Sequence, residues 1–422
     1  MLNKLKPKSE FSRNVLTLMT GTTMAQAIPI AISPILTRIY TPEDFGVFAF
    51  YMAIATIVAV IATGRYELAI MLPKKDNDAI NIVVLSILIS FFISLILFLI
   101  ILIFNAEITS LLNSPKISNW LYFIPFTVYI TGIYQSFNYW SNRKKQYKRL
   151  AISRVVQSGV TSSNNISMGF VGLGSSGLIL GQLLGQGIAT TILGKLIWNE
   201  DKNRLKQIKK IKIIALAKKY IKFPKFLILA HGMNIASGQA PVILLASLFS
   251  TGISGYYMLI QRVIGLPMSV IASSISDVFR QQASYDYTRI GNCKKVYLST
   301  LKKLFFLALF PFITFYFVAP ELFAFVFSEK WRIAGEYAQI LTPMFFFQFI
   351  SSPLGNMALV AQKQELDLYW QIFLFVLISL SFYIGGYILE DITLTLMLFS
   401  LSYSIAYLTS LVMTYNFSKG DI

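Results

Sequence analysis

Charge is scarce in this sequence. Asp, Glu, Lys and Arg make up 13% of its 422 residues, about half the share usual in soluble domains, which excludes an ordinary water-facing globular surface. Cysteine occurs once, at Cys293, and histidine once, at His231. A lone thiol forms no intramolecular disulfide, and two such residues supply no metal cluster; Cys293 is expected in a loop without a special role. There is no GxxxxGK[ST] loop to cradle phosphates and no catalytic signature, so neither an enzyme nor a cofactor or metal is expected. Acids are the scarcer sign, 19 against 37 Lys and Arg, for a net charge of +18. Such an excess would fit nucleic acid if it formed a basic face on a folded domain. Here the cations fall in alternate loops between apolar runs, and no nucleic-acid partner is expected.

What the chain has in abundance is apolar length. Hydrophobic residues make up 55% and aromatic residues 14%, the latter read as lipid-facing rings and interfacial belts. Crossing the hydrocarbon takes about 20 residues of helix. Twelve runs qualify, at 14–37, 45–72, 79–104, 118–141, 150–172, 177–197, 226–249, 252–279, 304–320, 334–360, 367–389 and 392–416. The expected fold is all-α and integral to the membrane, because lipid offers backbone groups no outside partner. The first run, behind Lys4, Lys6, Lys8 and Arg13, is too long for a signal-peptide core and reads as an uncleaved helix.

The cations orient the chain. With the amino terminus placed in the cytoplasm, the inward loops hold 29 of the 37 Lys and Arg residues and the outward loops four: Arg38, Lys116, Lys330 and Arg332. The split satisfies the positive-inside rule and puts both termini in the cytoplasm. The longest loop, 198–225, contains NRLKQIKKIKIIALAKKYIKF. It reads either as an amphipathic helix on an anionic inner leaflet or as a solvated basic linker. It separates residues 1–200 from 226–422, six runs on each side. A weak repeat joins them: Leu36, Tyr40, Thr41, Gly46 and Phe48 recur at an offset of 209 as Leu245, Phe249, Ser250, Gly255 and Tyr257. Six runs per half imply a pseudo-two-fold axis along the membrane normal and two facing six-helix bundles.

Polar groups inside the runs are the transport candidates, because each charge in lipid costs roughly 2.5–3.5 kcal/mol on insertion scales. Arg262 lies near mid-membrane with no acid three or four residues away, which suits a watery cavity and a phosphate partner, or an acid on another helix. Arg65 and Glu67 follow Gly64 in the second run; two residues apart on a helix, they would point to different faces. Interfacial anchoring competes with a transport role for both. Arg154 and Lys195 stand closer to the cytoplasmic end and can snorkel. Asp277, Glu336 and Asp367 sit at run ends, where capping suffices. His231 is a proton-coupling candidate or a packing residue. The first and seventh runs are both interrupted, by Pro29 and Pro34 and by Gly238 and Pro241, which marks them as hinges. Gln182, Gln186, Asn164 and Asn165 stand beside glycines and read first as close helix packing. The outward pairs Glu43–Asp44 and Glu390–Asp391 read as solvated loop ends.

The run Leu36-Thr-Arg-Ile-Tyr-Thr-Pro-Glu-Asp-Phe-Gly-Val-Phe48 resembles the junction of the first two helices of bacterial polysaccharide flippases, as does Thr63-Gly-Arg-Tyr-Glu-Leu-Ala-Ile-Met-Leu-Pro73. The chain resembles the O-antigen branch of the multidrug/oligosaccharidyl-lipid/polysaccharide exporter superfamily; the peptidoglycan-precursor flippases have more helices than the twelve found here. The resemblance implies movement of undecaprenyl-diphosphate-linked oligosaccharide to the periplasmic leaflet of the inner membrane, by alternating access driven by an H+ or Na+ gradient. It implies that Arg65, Arg262 and Arg154 meet the diphosphate or acidic sugars, leaving Glu67, Asp277 and His231 for coupling or gating. A polysaccharide polymerase and a chain-length regulator are the implied partners. The competing readings are a multidrug-type antiporter, for which an acidic cavity is expected, and a membrane glycosyltransferase or polymerase, for which a sizeable outer loop with carboxylates is needed.

Overall fold

The computed structural model describes residues 10–420; Lys4, Lys6 and Lys8, counted above among the inward cations, lie outside the described residues. Its principal helices are α1 (Glu10–Ile39), α2 (Pro42–Ala59), α3 (Tyr66–Ala69), α4 (Asp76–Leu111), α5 (Ile124–Arg143), α6 (Tyr147–Phe170), α7 (Ser175–Leu205) and α8 (Lys210–Lys219). There follow α9 (Ile228–Leu248), α10 (Thr251–Ile260), α11 (Leu266–Ile290), α12 (Lys294–Phe327), α13 (Arg332–Ser351), α14 (Gln364–Phe382) and α15 (Ile392–Ser418). Each of the twelve apolar runs is met by a helical segment. Eight helices among the described residues are by themselves long and apolar enough to cross a membrane, and the protein is a multi-pass, all-α membrane protein. The chain forms two compact units, Met1–Ser247 and Leu248–Ile422.

In the first unit α6 packs along α1 and α7. Pro29 has no N–H, which leaves the Ala25 carbonyl without its helical donor; the Ser158 hydroxyl of α6 donates to it at 2.7 Å. α1 stays helical through both Pro29 and Pro34. Against α7 the approach is close enough that a Cβ at Gly181 would lie 2.0 Å from Asn165 Oδ1, and one at Gly185 1.9 Å from Thr161 Oγ1. These glycines therefore do the close packing read from the sequence, as small residues do where membrane helices touch.

Two expectations are corrected. The run 45–72 is not one helix: α2 ends at Ala59 and the chain turns until α3 starts at Tyr66. The reason is local, since Gly64 and Arg65 both take left-handed backbone angles, φ +59° and +61°, which an α-helix cannot contain. Nor is 198–225 mainly a loop. α7 continues to Leu205, and α8 then docks on α4: Asn81 Oδ1 accepts the Lys209 N–H at 2.9 Å, Lys212 pairs with Asp78 at 3.2 Å, and Tyr66 donates to the Ala217 carbonyl at 2.9 Å. Leu216 is buried in this contact, while Ile211 and Ile214 face outward.

In the second unit Ser250 caps α10, its hydroxyl accepting the Ile253 N–H at 3.3 Å. A π-helical turn, Gln261–Gly265, joins α10 to α11. Tyr297 donates to the Leu411 carbonyl at 2.9 Å and Trp370 to that of Ala406 at 2.7 Å, fastening α12 and α14 to α15. Cys293 is not in an open loop: it caps α12, is 2% exposed and packs among Phe279, Tyr297 and Met357. Burial, helped by Asp286, pushes its thiol up to about 11. Thiolate is the attacking species, so maleimide labelling of the folded protein at pH 7 is expected to be slow, rising with pH and on unfolding. Fast labelling at pH 7 would contradict this burial.

Candidate functional site

The left-handed turn before α3 decides where Arg65 points. With the helix broken, residues two apart no longer diverge: Arg65 Nη1 lies 3.3 Å from Glu67 Oε1, which corrects the expectation that the two face apart. Glu67 is 1% exposed and also accepts the Thr63 hydroxyl. The Arg65 side chain is 11% exposed, and its Nε is buried without a hydrogen-bond partner. A buried charged donor with no acceptor is costly, and a water or ligand oxygen in the adjoining space can supply the missing atom.

Arg65 lines a cavity of about 240 Å³ within the first unit. Thr127, Thr131 and Gln135 of α5 face it, as do Gln182 and Gln186 of α7. In both helices the residues stand four apart, which puts them on one face. α2 contributes small side chains, Ala55, Thr56 and Ala59, leaving room at the centre. Gln186 also accepts from Gln157, which fixes its amide. The site thus offers one guanidinium, primary amides and hydroxyls. A guanidinium binds phosphate or carboxylate oxygens in a fork, and amides and hydroxyls pair with sugar hydroxyls.

The far side of the turn is clamped by Arg143 at the end of α5. Its Nη1 donates to the carbonyls of Ile70 at 3.1 Å and Met71 at 3.2 Å, its Nη2 to that of Pro73 at 2.7 Å, and its Nε to Asp76 at 3.0 Å. Lys144 and Arg204 complete the ring around Asp76, at 2.9 and 2.8 Å. Arg143 thus positions the segment after Glu67, a role the sequence hid by presenting it as one more inward cation.

The other candidates lie elsewhere. Arg154 does not line this cavity; its Nη1 donates to Thr22 of α1 at 2.6 Å. His231 is exposed on α9, and Gly238 and Pro241 lie further along the same helix. In the second unit Arg262 sits in the π-helical turn, a backbone irregularity common at functional positions. Asp277 is on an exposed face of α11, paired with Arg280 at 3.3 Å. Among the cavity residues absent from the sequence reading are Thr127, Thr131 and Gln135, whose spacing of four in an apolar run was the available signal.

Comparison with solved structures identifies the fold. The inward-facing conformation of a multidrug resistance MATE family transporter of the MOP superfamily matches over 94% of this chain and 93% of its own, with TM-score 0.73 and 14% identity. The inward closed conformation of the lipid II flippase MurJ matches over 95% and 87%, with TM-score 0.68 and 14% identity. A MOP superfamily transporter from Pyrococcus furiosus matches over 95% and 94%, with TM-score 0.63 and 14% identity. The fold is therefore that of the MOP superfamily transporters. A search by sequence among curated proteins gave no match. The family model for polysaccharide biosynthesis proteins matches residues 35–335, and the chain belongs to that family.

Proposed function

We propose that this protein is a flippase that carries a diphosphate-linked oligosaccharide on a polyprenyl lipid across the bacterial inner membrane. The observation that carries the reading is the buried, unpartnered Nε of Arg65 in a cavity where three glutamines and three threonines stand among apolar side chains. A diphosphate with a sugar head does not cross hydrocarbon unaided, and a cation in a polar interior lowers that barrier. A cavity of about 240 Å³ has room for about eight waters at roughly 30 Å³ each, the scale of a diphosphate rather than of a whole oligosaccharide. The lipid tail stays in the bilayer.

The same reading places both termini in the cytoplasm, on the 29-to-4 distribution of cations. It treats 1–200 and 226–422 as two lobes that alternate access, with hinges at Pro29, Pro34, Gly238 and Pro241. Glu67, because it competes with the cargo for Arg65, is the leading candidate for ion coupling, ahead of Asp277 and His231. Arg262, in the π-helical turn, is the second anion contact of this reading. Arg262→Ala is expected to lower transport about tenfold while leaving membrane insertion intact, the loss of one charge-assisted contact; unchanged transport would remove Arg262 from the path. A second reading, export of a small cation, draws on the buried carboxylate of Glu67.

The deciding experiment follows lipid-linked sugar intermediates in cells lacking the protein. They are expected to accumulate on the cytoplasmic leaflet and to clear when the gene is restored. Intermediates reaching the outer leaflet at the normal rate without it would end the flippase reading.

A further inference from the structure

The second unit holds a groove of about 600 Å³ between α11 and α12, which are joined through Gly291. Two stripes face into it. Ser274, Val278 and Gln282 stand four apart on α11, and Lys295, Ser299 and Lys303 stand four apart on α12, so each trio occupies one helix face. Beyond Lys303 the lining is aliphatic, Leu304 and then Leu307. Lys295 and Lys303 are exposed, as are Val278 (68%) and Leu307 (52%). No Asp or Glu is among the lining residues; the neighbouring Asp286 accepts the Gln282 amide at 3.0 Å.

One end of the groove is thus cationic and hydroxyl-rich, and the other is open hydrocarbon. A soluble anion would leave Val278 and Leu307 unmatched, and a zwitterionic lipid would leave the two lysines without a net counter-charge. Charge and apolar surface are complementary to a single kind of molecule, one with an anionic phosphate and an acyl chain. The surrounding cations Arg280, Arg289, Lys294 and Lys302 belong to an inward segment in the orientation proposed above.

We propose that this groove binds an anionic phospholipid of the cytoplasmic leaflet, its phosphate between Lys295 and Lys303 beside Ser299, and an acyl chain along the exposed Val278 and Leu307, over the buried Leu304. The inference rests on the orientation of the chain but not on its cargo.

The test uses the full-length protein in detergent, with phosphatidylglycerol and phosphatidylcholine titrated against thermal unfolding and counted by native mass spectrometry. Phosphatidylglycerol is expected to bind more tightly, and K295A/K303A to weaken it about twenty-five-fold, at roughly a fivefold loss per juxtamembrane lysine. K74A/K75A, a pair of exposed lysines in the first unit, is expected to leave binding unchanged. Equal binding of the two lipids, or an undiminished affinity in K295A/K303A, would overturn the proposal. So would an equal loss in K74A/K75A, which would show general surface charge. Stabilisation by inorganic phosphate equal to that by phosphatidylglycerol would reassign the site to a free anion and overturn it too. No sugar-linked lipid enters the assay, so its failure leaves the flippase reading standing.

Discussion

Arg65→Ala is expected to reduce transport of the lipid-linked sugar by about two orders of magnitude. Two charge-assisted hydrogen bonds to a phosphate, each contributing roughly 1.5 kcal/mol or more, correspond to about that factor. The substitution has a second effect that must be separated from the first. It leaves Glu67, 1% exposed, with Thr63 as its remaining partner, and a buried carboxylate stripped of its cation costs about 3–5 kcal/mol. The single variant is therefore expected to reach the membrane in reduced amount. The double variant Arg65→Ala/Glu67→Gln removes the stranded charge, so its membrane level, read by immunoblot, is expected to recover while transport stays low. Recovery of both amount and transport would show that the cavity is not on the path. Arg65→Lys keeps the charge without the fork and is expected to fall between.

Arg143→Ala is expected to cost about 2–4 kcal/mol of stability, because it leaves the carbonyls of Ile70, Met71 and Pro73 without this donor and Asp76 with two cations instead of three. The check is the thermal unfolding midpoint of the solubilised protein. Arg143→Lys reaches Asp76 but cannot span three carbonyls, so it is expected to restore a minority of the loss. Transport by Arg143→Ala is expected to fall in proportion to the folded protein, with unchanged affinity for cargo. A pure affinity loss at full stability would contradict the positioning role.

What could be read from the sequence follows the range of each interaction. The helical passes were legible because a membrane imposes length and apolarity residue by residue. So was the repeat: Thr41 and Ser250, 209 residues apart, both cap the helix that follows, Thr41 through a capping box with Asp44. Asp44 also accepts the Ser175 N–H at 2.8 Å, so what reads as a solvated acid ties two helix starts together. The break before α3 was not legible, because Val60 to Thr63 continues an apolar helical pattern and a single glycine is common in membrane helices. Arg143 was misread for a different reason: its acceptors lie some 70 residues away in the chain, and nothing in its neighbourhood announces them. The α5 stripe was open to a periodicity count, whereas its convergence on α7 was not.

The fastening of the segment around α3 limits how this half of the molecule can move. Tyr66 is held to α8, Asn81 to the residues before it, and carbonyls 70–73 to Arg143, so the corner bearing the guanidinium is tied to α4, α5 and α8. In the proposed cycle, widening of the cavity then comes from its other walls: α2, α7 with its two glutamines, or α9 through Ile235. In the proposed cycle the cation is the fixed post, and the walls that face it are what moves.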